Sequence, residues 1–107
     1  MLIDGGQTTA VQYMSNTMPI PSNKPEIAAA TALAGQMLGM QLIYMDAGSG
    51  AHQSVPLSMI KAVKQEINIP LIIGGGIKAA KSVTACCKAG ADVIVVGNLF
   101  EEQPEMV

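Results

Sequence analysis

Three short apolar runs, each ending in glycine, leave this chain few architectures. "LIYMDAGSG" (Leu42–Gly50), "LIIGGG" (Leu71–Gly76) and "VIVVGN" (Val93–Asn98) open on continuous rather than alternating apolar residues. Continuous apolarity marks strands buried on both faces, the habit of parallel sheets. A fourth run, "MLID" (Met1–Asp4) before Gly5-Gly6, has the same form.

Helical patterns fill the intervals. Asn23 and Glu26 are spaced as a capping pair, and Pro25 suits a first helical turn. Ile27, Ala30, Leu33, Ala34, Met37 and Leu38 then form one apolar face, with Gly39 placed to end the helix. A second helix is predicted to start at Pro56, to bury Met59, Ile60, Val63 and Ile67, and to stop before Pro70. A third runs from about Ala80 to Ala89, with Val83, Cys86 and Cys87 facing inward and Gly90 at its end. The order is βαβαβαβ, an α/β fold of parallel strands. Between the first strand and the first helix, Gly5–Ser22 reads as a long polar excursion, a kind of loop that often carries function.

Length and composition narrow the choice. A chain of 107 residues makes one compact domain. Half of the residues are hydrophobic but only 3% are aromatic, so the core is aliphatic and the eight methionines are core fillers before they are an adaptable binding surface. A net charge of −2 with no basic run does not point to nucleic acid or an acidic membrane. No apolar stretch approaches the roughly 20 residues of a membrane helix. Adjacent Cys86 and Cys87 suit neither a disulfide framework nor a zinc site, which fits a reduced, cytoplasmic setting. The element order suits a small open doubly wound sheet or part of a (β/α)8 barrel, whose full form takes about 250 residues. The glycines favour the barrel, because several strand ends of bare backbone converge there on one small ligand.

Ligands of α/β folds sit outside the carboxyl ends of the strands, where these glycines fall. A phosphate needs close backbone N–H donors, and side chains would hold it away. Ser49 can add a hydroxyl, Gly75 and Gly76 amides from the second strand end, and Gly97 and Asn98 donors from the third. One glycine pair alone also makes a tight turn; three in register point to an anion. Asp46 would repel that anion, so it faces the hydroxyl end of a ligand, where it can accept a hydrogen bond and then the proton. Tyr44, two residues earlier on the same face, can donate to the same ligand. The alternative for Asp46 is a side chain that caps its own loop, and both readings stand on spacing alone.

Together "YMDAGSGA", "PLIIGGGI" and "AGADVIVVGN", with "KPEIAAATALAGQMLGM" before them, resemble the geranylgeranylglyceryl phosphate synthase family and its heptaprenylglyceryl phosphate synthase relatives. The resemblance implies a TIM barrel that transfers a prenyl group from a prenyl diphosphate to the 3-hydroxyl of sn-glycerol 1-phosphate, with Mg²⁺. It implies that Tyr44, Met45, Asp46, Ala47, Gly48, Ser49, Gly50, Gly75, Gly76, Gly97 and Asn98 line the glycerol-phosphate site, with Asp46 and Tyr44 in catalytic positions. Asp46 stands where many members have Glu, one methylene longer. Residues 1–107 then form a single partial barrel domain of about four strands and three helices, the region of strands 5–8. The metal ligands and the prenyl channel are expected from the amino-terminal half, which leaves this chain inactive alone.

Two rivals stand beside that reading. One is a non-catalytic phosphate-binding half-barrel; its open sheet edges would favour pairing with a second copy. The other is a phosphate-binding barrel enzyme acting on a sugar phosphate. His52 is read as a solvated loop residue and Lys24 as a solvated helix start.

Overall fold

Pro25 opens the first helix because its fixed φ suits a first turn and it has no N–H to leave unpaired. The structure, a computed structural model, describes residues 1, 3, 19–48, 53–77 and 79–96. Helix α1 spans Pro25–Met37 and ends where Gly39 (φ +93) donates to Gln36 and Met40 donates to the Gly35 carbonyl. That pair of bonds is a Schellman closure of the last turn. Strand β1 (Ile43–Asp46), helix α2 (Leu57–Glu66), strand β2 (Leu71–Gly74), helix α3 (Ala80–Ala89) and strand β3 (Val93–Val95) follow.

The sheet is parallel, in the order β1-β2-β3. Ile43 pairs with Leu71 and Asp46 with Gly74; Ile72 pairs with Val93 and Gly74 with Val95. Met1 and Ile3 run along the free side of β1. The Ile3 N–H donates to the Asp46 carbonyl at 2.8 Å, and the Asp46 N–H donates to the Met1 carbonyl at 2.9 Å. The expected fourth strand, Met1–Asp4, lies partly outside the described residues; these two bonds are what is described of it, beside a sheet of three described strands. A strictly sequential strand order, with α1 packed on α2 and α2 on α3, is the arrangement of consecutive barrel units. The described strands show no strand-order reversal, the mark of a doubly wound sheet.

One face of the sheet carries the core. Ile43, Met45, Leu71 and Ile73 meet Met59, Ile60 and Val63 of α2 and Cys86 of α3, with Ile3, Ala28, Ala32 and Val55 in the same cluster. The opposite face holds Tyr44 and Ile72, half-buried, and Val93 and Val95, 49% and 44% exposed. Burial on both faces was expected from the continuous apolarity and is not what these strands show. Their second face is the one that a barrel turns toward its own axis.

Helix α1 departs further from expectation. It buries Ala28, Ala29 and Ala32, whereas Ile27, Ala30, Ala34, Met37 and Leu38 are exposed and Leu33 is half-buried. Met37 and Leu38 are 79% and 80% exposed. The helix is apolar nearly all round, so periodicity could not choose its face; steric closeness chose it. A Cβ added at Gly35 would lie 3.3 Å from Ile43 Cδ1, so the helix comes close to β1 at that position. Lys24, not Asn23, is the N-cap, and no side chain caps it. In α3 the expected inward pair splits into Cys86, buried, and Cys87, exposed. The step of about 100° from Cys86 carries Cys87 past the buried edge of α3. Helix α2 buries Met59, Ile60 and Val63 as its pattern predicts, with Ile67 just beyond it also buried.

At the amino ends of the strands, Asp92 ties three elements together. Its Oδ2 accepts from the Leu71 N–H at 2.8 Å and from Lys64 Nζ at 2.6 Å, and its own N–H donates to the Leu71 carbonyl. Lys64 reaches it by crossing Gly90, where an added Cβ would lie 2.8 Å from Lys64 Cγ. The Lys64 hydrogen bond, followed by the Leu71 amide, holds the Asp92 carboxyl below the usual carboxylate range. An Asp that is easier to ionise when folded contributes stability above its unfolded pKa, and that contribution is lost as pH falls through its folded value. Asp92→Ala should cost about 1 kcal/mol at neutral pH, because a hydrogen-bonded amide loses its acceptor. Lys64→Ala should cost less, since the pair is partly exposed. Denaturant titrations at neutral pH and at about pH 3, in the lower carboxylate range, check both the order and the sign. Wild type should lose more stability on acidification than Asp92→Asn.

Candidate functional site

Alternation along β1 divides its residues between two faces. Ile43 and Met45 enter the core, so Tyr44 and Asp46 stand on the open face, Asp46 at the carboxyl end. Asp46 Oδ1 accepts the Gly48 N–H at 2.8 Å, closing a turn two residues on. The loop-capping reading of this acid is therefore correct for one oxygen. The other oxygen has no hydrogen-bond donor among the described residues.

The end of β2 is moulded against this turn. The Ala47 N–H donates to the Gly74 carbonyl at 3.1 Å, extending the ladder past the strand. Gly75 has φ +85, and a Cβ there would lie 2.6 Å from Gly48 N and 2.9 Å from Asp46 Oδ1. Gly76 has φ +73, and its Cβ would lie 2.8 Å from the Gln53 carbonyl. Both positions combine a left-handed backbone with contact against main chain, which only glycine satisfies cheaply. The consequence is a strand end of bare backbone beside a carboxylate and a phenol.

Electrostatics follow from that closeness. Burial, and then the Asp46 charge, push the Tyr44 phenol above its ordinary value. Tyr44 is therefore a protonated hydrogen-bond donor throughout the neutral range. The Met1 amine, which donates to the Tyr44 carbonyl, is lowered by burial, with Asp46 pulling the other way.

Of the residues expected at the site, the structure brings together Tyr44, Asp46, Gly48, Gly75 and Gly76. Met45 and Ala47 belong to the core, fully buried, so their side chains do not reach the open face. Ser49, Gly50, Gly97, Asn98 and His52 lie outside the described residues. Gly74 was not anticipated: an added Cβ would meet the Tyr44 hydroxyl at 2.5 Å. Counting register across the two strands is the signal that finds it, since Gly74 is opposite Asp46.

Mg²⁺ prefers octahedral oxygen ligands and often takes one or two carboxylates from the protein. Among the described residues no three His, Cys, Asp or Glu side chains gather, and Asp46 already gives one oxygen to its turn. These residues do not fit a magnesium site. A groove of ≈ 480 Å³ lies elsewhere, between α1 and α2, over Ala29, Ala30 and Leu33 and flanked by Glu26 and Glu66. Its acids and its place in the helical layer disqualify it as an anion site.

Residues 2–107 match the PcrB family. The chain is 52% identical over 107 residues to a geranylgeranylglyceryl phosphate synthase of Spirosoma linguale, covering all of this chain and 43% of the relative. It is 52% identical over 102 residues to the enzyme of that name from Thermococcus kodakarensis, covering 95% of this chain and 40% of the relative. Among solved structures it resembles a wild-type GGGPS from Thermoplasma volcanium, with TM-score 0.84 and 40% identity over 92% of this chain and 39% of that one. It also resembles (S)-3-O-geranylgeranylglyceryl phosphate synthase from Thermoplasma acidophilum in complex with substrate sn-glycerol-1-phosphate. There the TM-score is 0.83 and the identity 36%, over 94% of this chain and 42% of that one. The chain thus spans about two-fifths of the length of the relatives it matches.

Asp46→Asn keeps an oxygen for the Gly48 amide but removes the charge. The Tyr44 pKa should then fall, though not to its ordinary value, because burial is the larger cause. Alkaline spectrophotometric titration reads this directly, with Tyr13→Phe leaving Tyr44 as the only phenol.

Proposed function

The chain belongs to the PcrB family, and on that footing we propose that it carries the glycerol-phosphate half of a prenyltransferase barrel. The reading assigns residues 1–107 to the region of strands 5–8, as one partial barrel domain. The observation that carries it is the placement of Tyr44 and Asp46 on one open face, beside the left-handed turn at Gly75 and Gly76.

In this reading the phosphate of sn-glycerol 1-phosphate lies on the bare backbone of Gly75 and Gly76. Ser49, Gly50, Gly97 and Asn98 are assigned to the same cradle. The 3-hydroxyl turns toward Asp46, and Tyr44 donates to the glycerol. The glycerol oxygen bonds to the allylic carbon of the prenyl diphosphate as that carbon's bond to diphosphate breaks, the electron pair leaving with diphosphate. The hydroxyl proton passes to Asp46. Magnesium and the prenyl chain are assigned to residues other than those described, and no step is derived from them.

Calorimetric titration tests the site. The chain should bind sn-glycerol 1-phosphate, bind its mirror isomer more weakly, and lose the preference in Asp46→Ala. Equal affinity for both isomers, or tighter binding of a sugar phosphate, would favour a different phosphate-binding barrel enzyme. A labelled-prenyl transfer assay should show little or no product from this chain alone; ready turnover would refute the assignment of the remaining machinery elsewhere.

Self-association belongs to the same reading. Ile27, Met37, Leu38, Met40 and Leu42 are large apolar residues exposed along and just after α1, more than scattered surface residues explain. Sedimentation velocity should show a homo-oligomer; a monomer across the concentration range would exclude it.

A further inference from the structure

Gly74 is a glycine whose backbone does not require one. It ends β2 within the ladder, opposite Asp46 on one side and Val95 on the other. Gly75 and Gly76 have positive φ; Gly74 does not. A glycine in an ordinary strand conformation costs stability relative to alanine. Something other than the chain path must account for it.

The account lies across the sheet. Leu71 and Ile73 enter the core, so Ile72 and Gly74 face the open side with Tyr44 and Asp46. Tyr44 is opposite Ile72, one pleat below the strand end. Its ring nevertheless reaches the level of Gly74, where an added Cβ would lie 2.5 Å from Oη, 3.2 Å from Cζ and 3.4 Å from Cε1. The missing side chain is therefore the space the phenol occupies. Without it the hydroxyl arrives level with Asp46, its partner in register.

We propose that Gly74 is a positioning residue, which holds the Tyr44 hydroxyl at the strand end beside Asp46 by leaving the phenol a place to lie across β2. What the hydroxyl does there rests on the prenyltransferase reading; the positioning itself does not. Gly74 touches no reacting atom. Alanine at this position would force the ring off the sheet and carry the hydroxyl away from the acid.

The test is a double-mutant cycle in the full 107-residue chain, read by denaturant unfolding, with Tyr44→Phe as the second change. Gly74→Ala with the tyrosine present should raise the unfolding equilibrium constant roughly ten- to a hundred-fold, the range of overpacking in a tight site. In the Tyr44→Phe background, where the closest contact is gone, the same change should cost at least about fivefold less. An equal cost in both backgrounds, or none in either, would overturn the proposal and return Gly74 to a backbone role. Should Gly74→Ala not fold, recovery of folding on adding Tyr44→Phe supports the proposal, and no recovery defeats it. A readout that a merely structural role would not move is the phenol titration in the Tyr13→Phe chain. Gly74→Ala should bring the Tyr44 pKa down toward its ordinary value as the ring leaves its half-buried place beside Asp46; an unchanged value counts against positioning. Coupling in the cycle together with no sn-glycerol 1-phosphate binding by the parent chain would sink the functional reading while upholding the role of Gly74.

Discussion

The contact between the end of β2 and the turn after β1 organises this molecule. Gly75 lies so close to Gly48 and Asp46 that a single methyl group would strike the Gly48 amide nitrogen at 2.6 Å. Gly76 stands in the same relation to the Gln53 backbone. Backbones that meet without side chains between them bring the carboxylate, the phenol and the bare turn into one small space. The Ala47 N–H to Gly74 carbonyl bond and the Asp46 to Gly48 turn secure that contact from either side. Moving either partner by a methyl width would open the site, which is why three successive glycines occur there for three separate steric reasons.

Stability and chemistry are divided between the two faces of the sheet. The core face takes the aliphatic residues of every strand and the buried faces of α2 and α3. The open face takes Tyr44 and Asp46, whose polar atoms would be costly in that core. At the opposite end of the strands, Asp92 joins Lys64 and the start of β2 through charge-assisted bonds. One end of the sheet is thus pinned by a side chain, and the other is left to backbone and ligand. That division suits a scaffold in which elements are fixed at one end and ligands are met at the other.

Much of this was legible in the residues. The βαβ order, the start of α2, the limits of α3 and the glycine at the end of β2 all follow from periodicity and from turn residues. Asp46 and Tyr44 could be placed on one face because alternation along a strand is rigid. Helix α1 was not legible in the same way. Its larger apolar side chains suggested one face, yet it buries alanines, and at Gly35 an added Cβ would come within 3.3 Å of Ile43. Composition ranks a helix's faces by hydrophobicity, while packing ranks them by size when the neighbour is close. Cys87 was misplaced because a helical pattern locates a face only to within a residue.

The sequence by itself determined that this chain forms parallel strands joined by helices, with small residues and one acid where the strands end. Those properties depend on local preference and on periods of 2 and 3.6 residues, which are written along the chain. Tertiary structure alone decided which atoms meet. It gave one Asp46 oxygen to the Gly48 amide and left the other without a donor among the described residues. It laid the Tyr44 ring over Gly74, and it turned the alanines of α1 inward. Each of these depends on the register and spacing of elements distant in sequence, and distances of a few ångströms between such elements are set by packing.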